Sequence, residues 1–163
     1  MRDKKVVFMV QAAAIAAIYV VLTFVFAPLS FGEVQIRIAE ALTILPYFTP
    51  AAIPGLFIGC FIGNFLGGAI LLDVICGSLA TLAAALFSWL LRKHKFLVPL
   101  PPIAANILVV PFVLFYGYGV NLPIPFMMLT VGLGEIVSCG VIGTILLLAL
   151  DRYKSHIFRQ IAA

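Results

Sequence analysis

The feature that most constrains this chain is a succession of long apolar runs, broken only by short polar or Pro/Gly-rich stretches. An apolar run of about 20 residues has no stable place facing water, and at ~1.5 Å per helical residue it matches the ~30 Å hydrocarbon core of a bilayer. The runs predict spans over about 6–27, 33–48, 50–66, 71–91, 99–116 and 126–150. Pro28, Pro46, Pro50, Pro99, Gly67 and Gly68 punctuate them, as prolines at helix starts and glycines past helix ends do. With 64% apolar and 10% charged residues, the chain has too little charge to coat a soluble domain. The expectation is an all-α integral membrane protein, a six-transmembrane-helix bundle in which residues 1–163 form a single membrane domain.

The first residues, Met1 to Leu22, have the basic start and apolar core of a signal peptide. The apolar run continues to about Ala27, and five more follow, so an uncleaved first helix is expected. Basic residues give the orientation. Arg2, Lys4 and Lys5 precede the first span, Arg92, Lys93 and Lys95 follow the fourth, and Arg152, Lys154 and Arg159 follow the sixth. Six crossings with both termini in the cytoplasm put all nine inside, leaving Arg37 as the exception, as the positive-inside rule favours. The net charge of +4 is therefore a topology signal and not a nucleic-acid footprint. Cys60, Cys76 and Cys139 lie in apolar segments without metal-ligand spacing and read as reduced core residues. His94 and His156 fall outside the spans, so no serine or carboxylate has a histidine at membrane depth, and an intramembrane enzyme is not expected.

Charged groups inside spans are costly and usually face a cavity or a partner. In FGEVQIRIAEALTILPYF, Glu33, Arg37 and Glu40 follow an i, i+4, i+7 pattern on one face of an α-helix, which Thr43 and Tyr47 extend. Two readings stand: an ion-paired stripe that helps a short helix insert, or the polar wall of a substrate cavity. Glu135, in LTVGLGEIVSCGVIG, lies roughly 14 Å below the outer end of its span and has no nearby base in sequence. It needs Arg37, a polar partner or a ligand, or it stays protonated. Asn64 and Asn106 are amides in apolar runs, suited to interhelical hydrogen bonds or to the same pocket. Asp73 reads as a helix-start residue beside water. Trp89 reads as an interfacial belt residue, and Tyr116 and Tyr118 as belt residues or as a stacking surface.

Two small-residue patterns complete the inventory. Gly55, Gly59, Gly63 and Gly67 form an i+4 ridge suited to internal helix packing. Ala12/Ala16 and Ala13/Ala17 are overlapping small-xxx-small pairs in the first span.

The segments QIRIAEALTILPYFTPAAIPGLFIGCFIGNFLGG and DVICGSLATLAAALFSWLLRK, with the alanine-rich first helix and GEIVSCGVIG, resemble the queuosine-precursor transporter family. That resemblance covers nearly the whole chain. It implies the substrate-binding S-component of an energy-coupling factor (ECF) importer in a bacterial plasma membrane. The substrate would be a 7-deazaguanine, such as the 7-cyano or 7-aminomethyl compound or queuine, entering from outside under a loop at about Pro28 to Gln35. Ala12/Ala16 or Ala13/Ala17 would dock on a transmembrane T subunit, and two ATPase subunits would use ATP. The chain itself is expected to carry no cofactor, and its sequence has no Gly-rich phosphate loop. A carboxylate accepts the paired donors of a guanine edge. Glu135 is the first candidate and Glu40 the second, with Asn106, Asn64 and Arg37 around them. The alternatives are an S-component for another vitamin-like nutrient, or a membrane assembly protein without a ligand.

Overall fold

A computed structural model describes residues 4–30 and 36–157. Regular structure among them is helical throughout: α1 (Lys4–Val25), α2 (Ala27–Ser30), a 3₁₀ helix (Ile38–Tyr47), α3 (Ala52–Leu66), α4 (Leu71–Leu90), α5 (Leu100–Tyr116), α6 (Ile124–Glu135), a π-helical stretch (Ile136–Gly143) and α7 (Thr144–Ile157). Four segments are long and apolar enough to cross a membrane: Lys4–Val25, Leu71–Lys93, Lys95–Tyr116 and Ile124–Lys154. Ile38–Tyr47 and Ala52–Leu66 are shorter apolar helices. The chain is thus an all-helical membrane protein. The bounds of the predicted apolar runs fall within a few residues of helix ends except over 33–48 and at the end of the last run, where the helix continues to Ile157.

That segment departs from the expected α-helix. Arg37 is extended (φ −89°, ψ 93°) and caps a ten-residue 3₁₀ helix that includes Pro46. The expected α-helical stripe therefore does not form. With three residues per turn, Glu40, Thr43 and Pro46 come into line, and Arg37 stands outside the helix altogether. Glu33 lies outside the described residues, as do Arg2, Arg159 and residues 31–35 of the expected capping loop. At ~2.0 Å per residue the 3₁₀ form covers about 20 Å where an α-helix of the same length covers about 15 Å. The tighter helix makes a short segment reach further.

This helix is the hub of the bundle. Ala39 through Pro46 are all buried, and it packs against α1, α3, α4, the π-helical stretch and α7. Burial on all sides accounts for a segment that is apolar on most of its surface, Glu40 and Thr43 aside, and yet too short to be a lipid-facing span. The other helices neighbour one another in chain order, α3 on α4, α4 on α5 and α5 on α6.

The glycine ridge packs α3 against α1. A Cβ at Gly55 would stand 2.8 Å from the Ala12 carbonyl oxygen, and one at Gly59 2.8 Å from Tyr19 Cβ. At Gly63 it would meet Thr23 at 3.4 Å. Gly67, the fourth member, is instead the C-cap of α3. These contacts advance together along both helices, so α1 and α3 run parallel, and the 3₁₀ helix carries the chain back between them. At one end of the bundle, Lys95 Nζ approaches Asp151 at 3.9 Å and Lys154 binds the same carboxylate at 3.0 Å. Two of the basic clusters read as facing one side are therefore neighbours in space.

Candidate substrate site

The polar residues that the spans were expected to hide converge on the 3₁₀ helix. Its first turn carries Glu40, whose side chain is 1% exposed. An acid there also faces the favourable end of a helix dipole. Tyr19 of α1 donates its hydroxyl to Glu40 Oε1 at 2.5 Å. Glu40 Oε2 is buried and accepts no hydrogen bond among the described residues.

On one side of Glu40 lies the π-helical stretch. Cys139 Sγ donates to Glu135 Oε2 at 3.1 Å and to the Glu40 carbonyl oxygen at 3.4 Å. Thr43 Oγ1 donates to the same carbonyl at 2.6 Å and sits 3.6 Å from the thiol. Asn106 Nδ2 of α5 donates to Glu135 Oε1 at 2.9 Å. Among the described residues Glu135 thus finds polar partners and not a base, and each of its oxygens keeps one further lone pair. The wider π turn begins immediately after it, and such stretches inside α-helices commonly accompany functional sites. Here the turn brings Gly143 so close to the hub that a Cβ would lie 3.2 Å from Ile44 Cγ2.

On the other side lies Arg37. Extended backbone lets its side chain leave the helix axis and reach α3 and α4. Nη1 donates to Asn64 Oδ1 at 3.3 Å, and Nη2 lies 3.5 Å from Asp73 Oδ2. Asn64 Nδ2 continues to Cys60 Sγ at 3.6 Å, which Thr81 also meets at 3.4 Å.

Asp73 is a correction to the sequence reading. It does begin α4, but it is 3% exposed and not beside water. Arg37 holds it from within, and the Tyr118 hydroxyl donates to its Oδ2 at 3.0 Å from the loop after α5. Partial burial and then the Asp73 charge raise the Tyr118 hydroxyl above its ordinary range, which keeps it a donor. Tyr118, 42% exposed, thus ties its hydroxyl to the cluster while its ring remains accessible. Tyr116, 72% exposed, fits the belt.

All five candidate binding residues, Arg37, Glu40, Asn64, Asn106 and Glu135, are buried and belong to this cluster or its immediate extension. Sequence reasoning missed Tyr19, Asp73 and Cys139 as members. Tyr19 was legible only as a polar group on the same helical face as Ala12, Ile15 and Ala16. Cys139 stands i+4 from Glu135, a spacing that carries a contact once both lie on one helix.

The chain matches the QueT transporter family over residues 9–152. It belongs to that family. Membership makes it a transporter and not one of a family of enzymes, and the family name points to a queuosine precursor as cargo. No curated protein and no solved structure matches the chain. In this QueT family member the two alanine pairs of α1 have different surroundings. Ala12 and Ala16 are buried in the seam with Gly55 and Gly59, whereas Ala13 and Ala17 face outward beside the exposed Val10, Ile18 and Val21.

Proposed function

We propose that this protein is the substrate-binding S-component of an ECF-type importer that captures a 7-deazaguanine from outside a bacterial cell. The observation that carries this reading is a pair of buried acids in a chain of the QueT transporter family, Glu40 and Glu135, with Cys139 meeting both the Glu135 carboxylate and the Glu40 backbone carbonyl. Buried acids in a membrane bundle are costly unless a donor meets them. A guanine-like edge presents two N–H donors side by side, which one carboxylate accepts together. The open Oε2 moves Glu40 ahead of Glu135 as that acceptor. Glu135, engaged on both oxygens, takes the second position with Asn106 beside it. Arg37 and Asn64 form the facing wall.

In this reading both termini are cytoplasmic, six helical segments traverse the bundle, and Asp73 and Tyr118 lie toward the outside. The T subunit docks on α1 through Ala13 and Ala17, the pair left exposed, and two ATPase subunits supply ATP-driven work. The test is binding to purified protein, followed by thermal melting and Trp89 fluorescence. The 7-cyano and 7-aminomethyl compounds and queuine are compared with riboflavin, biotin and folate. A response to a deazaguanine alone supports the assignment, and a response to none of them sinks it. Glu40→Gln removes a charge-assisted acceptor and is expected to weaken binding by about 10- to 150-fold, corresponding to ~1.5–3 kcal/mol. Unchanged affinity would return Glu40 to a packing role.

A further inference from the structure

The buried cluster has an unequal charge inventory. Among the described residues, its buried ionisable side chains of opposite sign are the carboxylates of Glu40, Asp73 and Glu135 and the single guanidinium of Arg37. The Arg37 guanidinium already lies 3.5 Å from Asp73 Oδ2 and donates to Asn64. Buried charge of one sign is unfavourable unless a counter-charge meets it. An acidic excess alone names no ligand, but two acceptor atoms do. Glu40 Oε2 and Asp73 Oδ1 are buried and have no hydrogen-bond partner among the described residues.

Their placement differs in a way that gives each a task. Glu40 stands at the hub, beside Glu135. Asp73 stands on α4, one helical turn from Gly77. A Cβ on Gly77 would lie 3.1 Å from Asp73 Oδ1 and 3.2 Å from Asn64 Nδ2. Any side chain there would press on both atoms, so the bare Gly77 backbone lets an acceptor, Asp73 Oδ1, and a donor, Asn64 Nδ2, lie close against the same stretch of α4. The second Asp73 oxygen is held by the Tyr118 hydroxyl from the loop side and lies 3.5 Å from Arg37 Nη2.

We propose that Asp73, with Gly77 beneath it, forms a specificity subsite for a cationic amine carried by the ligand, separate from the carboxylates that read its ring edge. The inference rests on the deazaguanine reading above. In a 7-substituted 7-deazaguanine the substituent and the exocyclic amino group lie on opposite sides of the bicycle. A ligand with its donor edge on Glu40 therefore directs the substituent away from Glu40. An aminomethyl group brings one positive charge and three N–H donors to Asp73 Oδ1. A cyano group brings neither and leaves that oxygen desolvated and unmatched. The site accordingly selects the ammonium-bearing precursors over the neutral one.

The experiment compares wild-type protein, Asp73→Asn and Gly77→Ala, each titrated calorimetrically with 7-aminomethyl-7-deazaguanine, 7-cyano-7-deazaguanine and 7-deazaguanine. Wild type is expected to prefer the aminomethyl compound over both others by at least about tenfold, the scale of one charge-assisted hydrogen bond. Asp73→Asn is expected to erase most of that ratio while changing affinity for the cyano compound by less than about threefold, since a neutral group gains nothing from the charge. Gly77→Ala sets a methyl tightly against Asp73 Oδ1 and Asn64 Nδ2 without removing a charge or weakening the helix, and it should compress the same ratio if Asp73→Asn proves too unstable to purify. A wild type that binds the cyano compound as tightly as the aminomethyl compound overturns the subsite and leaves the deazaguanine reading intact. Equal losses for all three ligands in both variants overturn it too, because Asp73 would then act only through Arg37. A wild type that binds none of the three, and not queuine either, overturns both.

Discussion

Replacing Gly59 with alanine tests the central packing claim, because the added atom has a defined obstacle. Its Cβ would stand 2.8 Å from Tyr19 Cβ and 3.1 Å from the Ala16 Cα and carbonyl oxygen. Those are backbone or backbone-proximal atoms, so no flexible side-chain end yields. Reaching an ordinary 3.4 Å contact requires α1 and α3 to separate locally by about 0.6 Å. Overpacking of this kind costs about 1–3 kcal/mol. Loosened helices in the bilayer remain helical, so the propensity advantage of alanine returns little of it. Gly63→Ala is the matched control, since its Cβ meets Thr23 at an ordinary 3.4–3.6 Å. Thermal melting in one detergent should lower the apparent midpoint for Gly59→Ala by roughly 2–12 °C and leave Gly63→Ala within a degree or two. The displaced residue is Tyr19, the donor to Glu40, so Gly59→Ala should also weaken ligand binding where Gly63→Ala does not. Equal midpoints for the two variants would refute the close-packed seam.

Three further outcomes follow from the same geometry. Ala12→Leu with Ala16→Leu should prevent stable folding, because both pack into the glycine seam, whereas Ala13→Leu with Ala17→Leu should fold normally and fail to co-purify with the T subunit; the reverse pattern would exchange the docking and packing faces. Cys139→Ala removes the thiol donor to Glu135 and should reduce ligand affinity by about tenfold with a loss of ~1 kcal/mol in stability, measured by calorimetry and melting; no change in either would make the thiol a spectator. Tyr118→Phe deletes a partly exposed donor to Asp73 and should cost only ~0.5–1.5 kcal/mol of stability, and a larger loss would make the loop contact a main support of the fold.

The membrane class of this chain was legible in one dimension. Long apolar runs exclude a water-facing fold, and their prolines and glycines placed most helix boundaries within a few residues. Gly55, Gly59 and Gly63 were legible as a ridge because only glycine lets backbones approach that closely. The candidate residues were legible because charge and amides are expensive in lipid, and each of the five is indeed buried.

Other properties depended on which segments meet. The segment 38–47 has the apolar content of a span, but its 3₁₀ geometry and its place at the hub follow from being enclosed by α1, α3, α4, the π-helical stretch and α7. A periodicity of 3.6 assigned Arg37 and Glu40 to one stripe. The extended backbone at Arg37 instead sends its charge to Asn64 and Asp73. Asp73 looks like a solvated helix start until the loop bearing Tyr118, 45 residues later, folds across it. Nor can alternating alanines say which pair packs inward, since that depends on which face of α1 meets the glycines of α3. Sequence alone determined that this chain must live in a bilayer and must shelter a few charges there. Only the tertiary structure decided which of those charges meet, because the partners of a buried polar group are set by packing across helices and not by spacing along one.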